Sequence, residues 1–290
     1  MFKKEDTMTF MSKTKIDFIE DILGKPYYRD KNIILYNMDS LIGMEKLSNS
    51  KLVNLTVTSP PYNIGKEYEK ILSVDEYVEW SKKWMNLVYD ITVDDGAFWL
   101  NVGYMPIKEK GKAIPISYLL WDKNEFFMIQ ELVWNYGAGV ASRKSLSPRN
   151  EKVLWYVKDE NKYTFNLDDI RDPNVKYPNQ KKNGKIRVNP LGKNPSDVWQ
   201  IPKVTSGKNR SSKERVPHPA QTPIELFKRI ILASSNSGDL VLDPFMGSGT
   251  TAVVASSLDR LCVGFELNKD YLDLAIERIK NEKIQQLALF

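Results

Sequence analysis

The chain contains one cysteine and one histidine among 290 residues. A single cysteine cannot close an intramolecular disulfide, which suits a reducing compartment. Structural zinc sites built from four cysteines, or from two cysteines and two histidines, are excluded as well. Any Ser-His-Asp or Cys-His chemistry would have to run through His218. No apolar run approaches the roughly 20 residues of a membrane span. The start, MFKKEDTMTFMSK, has no continuous apolar stretch of the kind a secretory signal needs. The expected address is the cytoplasm, with no membrane attachment. A strong excess of one charge is also missing. The 42 Lys and Arg against 37 Asp and Glu leave +5, which permits a nucleic-acid partner without requiring one.

What is present is a core. A hydrophobic content of 42% and a charged content of 27% are ordinary for a soluble domain. The length suits one large α/β domain carrying an insertion. The charge is unevenly spread. Residues 171–216 hold 12 Lys and Arg against 3 Asp and Glu, a surplus of 9, leaving 30 against 34 in the other 244 residues. That segment is rich in Asn, Pro, Gly and Ser, with Tyr177 and Trp199 as isolated aromatics. It reads as a long, weakly structured insertion. Two readings stay open: a solvated basic loop, or a surface whose Lys and Arg neutralise phosphates.

Short apolar runs read as buried strands of a mostly parallel sheet: Ile33–Tyr36, Leu55–Thr58, Ala97–Val102, Glu131–Tyr136, Val153–Val157, Leu240–Leu242 and Cys262–Phe265. Helical spacing lies between them, in Val74–Tyr89, Ile224–Ser234, Thr250–Leu258 and Lys269–Lys283. Strands alternating with helices predict a doubly wound α/β sheet.

Two strand ends carry chemistry. Leu240–Leu242 runs into Asp243-Pro244-Phe245-Met246-Gly247-Ser248-Gly249-Thr250-Thr251. Strand ends of this kind bind ligands in α/β sheets. The turn is neither a P-loop nor GxGxxG, so a pyrophosphate is disfavoured. Asp243 suits a cationic amine rather than a phosphate. About 20 residues on, Glu266 ends the next strand, where an acid takes ribose hydroxyls in nucleoside-binding folds. The pair points to an adenosine-bearing cofactor without a pyrophosphate. The second end is Ser59-Pro60-Pro61-Tyr62, at the tip of Leu55–Thr58. Its prolines fix φ and lack N–H groups, so the Pro60 carbonyl can face a site. Ser59 adds a hydroxyl and Tyr62 an aromatic face.

With these two motifs, the sequence resembles the amino-group DNA methyltransferases. The order of catalytic motif, basic segment and cofactor motif is similar to their β class. The resemblance spans roughly residues 30–285. It implies a Rossmann-like methyltransferase fold, a doubly wound, mostly parallel seven-stranded sheet with one antiparallel strand. The implied organisation is an N-terminal lead-in at 1–25, a catalytic half at 26–165, a basic target-recognition insertion at 166–216 and a cofactor-binding half at 217–290. The implied reaction moves a methyl group from S-adenosyl-L-methionine to the exocyclic amino group of a base flipped out of double-stranded DNA. Ser59 and the Pro60 carbonyl would accept the two N–H bonds, Pro61 would stiffen the turn, and Tyr62 would stack on the base. Asp243, Phe245, Gly247, Ser248, Gly249 and Thr250 would hold the methionine end of the cofactor, Glu266 the ribose, and Asp39 the neighbourhood of the adenine. Thr222, in His218-Pro219-Ala220-Gln221-Thr222-Pro223, would lie against the methionine moiety. Lys181, Lys182, Lys185, Arg187, Lys208, Arg210, Lys213 and Arg215 would meet DNA.

Ring-carbon methylation is disfavoured, because the only cysteine, Cys262, sits in an apolar strand. Adenine-N6 members mostly carry Asp or Asn where Ser59 stands and many cytosine-N4 members carry Ser, so cytosine N4 is expected, with adenine N6 as the alternative. An RNA or protein methyltransferase and a non-catalytic nucleic-acid-binding module are more remote. The resemblance also suggests a homodimer and a cognate restriction endonuclease as partners. The helix Val74–Tyr89, with two Trp residues, suits either a core or an interface.

Overall fold

The computed structural model describes residues 14–67, 69–139, 141, 143–204 and 214–287, with side chains through residue 282. In chain order the elements are helix α1 (Lys15–Leu23), strands β1 (Tyr28–Arg29) and β2 (Ile33–Tyr36), α2 (Ser40–Lys46), β3 (Val53–Thr58), α3 (Val74–Ile91), β4 (Thr92–Val102), β5 (Tyr104–Ile107), β6 (Gly111–Pro115), α4 (Ser117–Leu120), β7 (Phe127–Asn135) and β8 (Asn150–Val157). A 3₁₀ turn at Leu167–Ile170 precedes β9 (Lys181–Lys182), β10 (Lys185–Ile186), β11 (Val198–Gln200), α5 (Ile224–Ser234), β12 (Leu240–Asp243), α6 (Thr250–Ser257), β13 (Leu261–Phe265) and α7 (Lys269–Leu287). Among the described residues no helix is long and apolar enough to cross a membrane.

The main sheet has nine strands in the order β1-β2-β13-β12-β3-β4-β8-β7-β11. The expected seven are the run from β2 to β7, with β8 antiparallel to both its neighbours. Two short edge strands make up the difference. The two-residue β1 pairs antiparallel with β2, and β11 adds in parallel to β7, with Trp199 beside Trp134. Trp199 is therefore not isolated. It is 4% exposed, stacks on Trp99 at 6.1 Å and has Arg229 over its ring. Burying an indole is worth more than leaving it in solvent, which fixes this end of the basic segment to the sheet.

Alternation along the strands divides the core. Ile34, Tyr36, Phe98 and Leu100 face α1, α2, α3 and α4. Ile33, Leu35, Ala97 and Trp99 face α5, α6 and α7. Both faces being covered explains why β2 and β12 are buried at every position. Helix α3 begins at a capping box in which Ser73 and Glu76 satisfy each other's backbone N–H groups. Trp84 is fully buried in this core and Trp80 packs at its border, so both indoles face inward.

Residues 1–13 lie outside the described residues, and within the N-terminal lead-in Lys15–Leu23 is a helix. Thr14 and Asp17 form its capping box, and Ile16, Ile19 and Leu23 are buried. Their i, i+3, i+7 spacing is an apolar stripe that packs on the sheet.

The topology sets the site. From β3 the chain crosses through α3 to β4 on one side, and from β12 through α6 to β13 on the other. Strands β3 and β12 are neighbours, paired at Val241–Leu55 and Leu242–Thr56. Their carboxyl ends border the point where strand order reverses, which is where open α/β sheets hold ligands.

Candidate active site

Ser59 follows β3 and Pro244 follows β12, so the two motifs open side by side. Between them lies a cleft of about 500 Å³. It is lined by Ser59, Pro60, Pro61 and Tyr62, and by Asp39, Thr222, Asp243, Phe245, Gly247, Ser248, Thr250 and Glu266. Every catalytic and cofactor candidate except Gly249 thus reaches one cavity.

Gly249 acts from behind. It caps α6 in the left-handed region, at φ 78°, and a Cβ there would sit 2.6 Å from the Ala275 Cβ. Only glycine permits both the turn and this approach to α7. The turn is further held by Arg278, whose guanidinium donates to the Ser248 carbonyl at 2.6 Å and to Thr250 Oγ1 at 3.1 Å. Thr250 Oγ1 also donates to the Thr222 carbonyl. Arg278 was not among the sequence candidates; a lone Arg on an amphipathic helix carries no signal of its target.

Asp243 joins the two halves. Its carboxylate accepts from Thr58 Oγ1 at 2.6 Å, Thr251 Oγ1 at 2.5 Å and the Phe245 N–H at 3.1 Å. Burial raises its pKa from 3.8 to about 6, against the pull of these donors. Burial also raises Glu266. Its two oxygens accept the backbone N–H groups of Gly247 and Asn268, both at 2.8 Å. Each oxygen keeps a second lone pair for a ligand hydroxyl. Asp39 caps α2 by accepting the Leu41 N–H at 2.8 Å, which holds its carboxylate at the rim. Phe245 packs edge-on against Trp84 at 5.2 Å and tilted against Trp80 at 5.5 Å, making an aromatic wall. His218 lines the cleft as well, against Tyr271 at 4.5 Å. Burial, then Lys66 and Arg278, lower its pKa to about 4, so it is neutral at pH 7.

On the catalytic side, Tyr62 is tied down at its hydroxyl. It lies 2.9 Å from Ser59 Oγ, donates to Glu151 Oε2 at 3.0 Å and accepts from Asn101 Nδ2 at 2.8 Å. Burial and the Glu151 carboxylate hold the phenol well above its ordinary pKa. Glu69 gathers the following loop by accepting the N–H groups of Tyr62, Ile64 and Lys66. Behind the ring stands Gly103, where a Cβ would meet Tyr62 Cε2 at 2.8 Å. Asn101, Glu151 and Lys203 were missing from the sequence reading. They lie on or just after strands β4, β8 and β11, and only the fold brings them to Tyr62.

The basic residues divide. Lys181, Lys182, Lys185 and Arg187 are exposed on and beside the β9–β10 hairpin, away from the cleft lining. The segment is therefore not shapeless here. Asn183 and Gly184 both take positive φ, as a two-residue hairpin turn demands. Arg215 is exposed, and Lys208, Arg210 and Lys213 lie outside the described residues.

A doubly wound sheet with a paired-motif cleft at its switch point defines a nucleoside-type ligand site in an α/β enzyme. The comparisons with known proteins sharpen that class. The family model described as DNA methylase matches residues 53–277. The type II methyltransferase M.ScaI of Streptomyces caespitosus is 59% identical over 269 residues, covering 93% of this chain and 88% of that protein. Two solved structures share the fold. The PvuII DNA methyltransferase (cytosine-N4-specific) has a TM-score of 0.70 at 22% identity, covering 89% of each chain. The M1.HpyAVI–SAM complex has a TM-score of 0.56 at 23% identity, covering 85% of this chain and 98% of that one. The chain belongs to the amino-group DNA methyltransferases, the DNA methylase family.

Proposed function

We propose that this methyltransferase transfers a methyl group from S-adenosyl-L-methionine to the N4 amino group of a cytosine flipped out of a specific duplex sequence, as the modification enzyme of a restriction–modification pair. The observation that carries the reading is the convergence of Ser59–Tyr62 and Asp243–Thr250 on one cleft from adjacent strands. Ser59, in the place of the Asp or Asn usual in adenine enzymes, supports the choice of base.

The cleft fits the cofactor. Two acids, Asp243 buried and Glu266 half-buried, make it favourable for a cation and hostile to phosphate. Glu266 offers acceptors for ribose hydroxyls, and Phe245 and Trp80 offer an apolar wall. When bound, S-adenosyl-L-methionine supplies an electrophilic methyl group. Ser248 and Thr250, held by Arg278, fix the turn at the methionine end.

An exocyclic amino nitrogen is a poor nucleophile because its lone pair is conjugated with the ring. Ser59 Oγ and the Pro60 carbonyl accept its two N–H bonds and favour a tetrahedral nitrogen with a free lone pair. Tyr62, clamped at its hydroxyl and backed by Gly103, presents a ring face for the flipped base. Holding the amine in line with the methyl supplies much of the acceleration. The exposed hairpin carrying Lys181, Lys182 and Lys185, with Arg187 beside it, is the size of a two-stranded ribbon that enters the major groove.

The test is transfer of a tritiated methyl group to duplex DNA, RNA and protein, offered separately at low salt. Label in duplex DNA alone is expected. Label in RNA or protein without DNA would overturn the reading.

A further inference from the structure

Lys203 lies in the basic segment, yet it is not a surface cation. Its neighbours Ile201 and Val204 are buried, so its backbone is pinned. The side chain turns into the cleft, where Nζ sits 2.5 Å from Glu151 Oε1 and 3.9 Å from the centre of the Tyr136 ring. The other oxygen of Glu151 accepts from Tyr62, which touches Ser59. One carboxylate therefore fixes both the lysine and the catalytic tyrosine.

We propose that Lys203 is a specificity-determining residue that reads the target base, donating a hydrogen bond to the O2 carbonyl of the cytosine whose amino group faces Ser59 and Pro60. The inference rests on the cytosine reading above and names the base edge that enforces it. A pyrimidine seated by its amino group must still desolvate O2, and a buried carbonyl without a donor is costly. Among the described residues the other side-chain donors at this end of the cleft are few. Asn101 Nδ2 is shared among Tyr62 Oη, Glu151 Oε2 and Ser59 Oγ, at 2.8, 2.9 and 3.4 Å. Lys66 Nζ points across the cleft to the Pro219 carbonyl, at 3.4 Å. Lys203 has three N–H bonds. Glu151 takes one and the aromatic wall of Tyr136, with Trp134 farther off at 5.5 Å, attracts another, so a third can serve a ligand in the cleft. Adenine offers a C2–H where cytosine carries O2, so the same ammonium would meet no acceptor and lose its hydration. Discrimination then comes from a donor left unpaired by the wrong base, the strongest form of rejection available to a polar site.

The experiment is a double-mutant cycle on a duplex carrying the recognition site mapped by sequencing modified DNA. Wild type and Lys203→Met are each given the natural target cytosine and a 2-aminopyridine C-nucleoside, which keeps the amino group and adjacent ring nitrogen but lacks O2. In the wild type, removing O2 should lower kcat/KM by about 10- to 100-fold. Lys203→Met should lose a similar factor on cytosine and distinguish the two bases by less than about threefold. If the variant slows both substrates equally and preserves the wild-type ratio, Lys203 is only structural and the proposal falls. Should the lone Glu151 carboxylate impair folding, Lys203→Met/Glu151→Gln removes it, and the same ratio decides. Nucleoside analysis of the wild-type product separates the two levels. N4-methylcytosine with an unchanged ratio sinks the Lys203 contact alone, whereas N6-methyladenine sinks the cytosine reading beneath it.

Discussion

Replacing Asp243 with Asn is expected to change how stability depends on pH, by an amount the structure sets. The Asp243 carboxyl is held at about 6 in the folded chain, against 3.8 unfolded, chiefly by burial. Well below pH 3.8 it is protonated in both states. Between pH 4 and 6 the unfolded chain ionises while the folded one keeps its proton, so stability falls as pH rises. The loss is complete above about pH 6.5 and amounts to about 3 kcal/mol, at roughly 1.4 kcal/mol per pH unit. His218 works in the opposite sense. Its pKa drops from 6.5 to about 4, so its contribution is lost as pH falls through that range, again by about 3 kcal/mol. The two contributions oppose each other in this window, so the difference between proteins is the diagnostic quantity. Asn carries no proton, so the stability of Asp243→Asn relative to wild type should rise by about 2–3 kcal/mol from pH 4 to pH 7, on the order of 4–8 °C in Tm. Thermal melts followed by circular dichroism at pH 4, 5, 6 and 7 measure it. A constant offset between the proteins across that range would refute the burial argument, because it would mean that Asp243 titrates at its ordinary value.

Three further outcomes follow from the site. Tyr62→Ala should cut methyl transfer by roughly 100-fold or more while cofactor affinity, read by calorimetry, changes only a few-fold; Tyr62→Phe keeps the ring and should fall between it and wild type. Gly103→Ala places a Cβ 2.8 Å from Tyr62 Cε2. It should destabilise the protein by roughly 1–3 kcal/mol and slow transfer, checked by denaturant titration and single-turnover rates. Exchanging Lys181, Lys182, Lys185 and Arg187 for Gln should lower the slope of log Kd against log salt by about 3 to 4 and leave the methylated nucleoside unchanged. An unaltered slope would place the DNA elsewhere.

The sheet was legible because strands buried on both faces leave unbroken apolar runs. Ile33–Tyr36 matches its prediction at both ends, and Leu240–Asp243 extends one residue further. Alternating or polar strand ends were not legible. Strand β4 begins at Thr92 rather than Ala97, since Asp94 and Asp95 face solvent and break the apolar run. The edge strands β1 and β11 are too short to carry a period. The basic segment misled through composition: Asn183-Gly184 marks a hairpin turn, and Trp199 needed the buried Trp99 and Trp155 to reveal its place. At the site, residues on contiguous motifs could be named from the sequence. Asn101, Glu151, Lys203 and Arg278 could not, because each acts across 28 or more residues of chain, through strand order and helix packing.

Amino-group transfer to cytosine stands or falls on the identity of the modified nucleoside. Duplex DNA labelled by the wild-type protein with S-adenosyl-L-methionine is digested to nucleosides and resolved by chromatography and mass. The expected product is N4-methyl-2′-deoxycytidine, separated from its 5-methyl isomer by retention. N6-methyl-2′-deoxyadenosine would contradict the assignment drawn from Ser59, and 5-methyl-2′-deoxycytidine would contradict amino-group transfer itself.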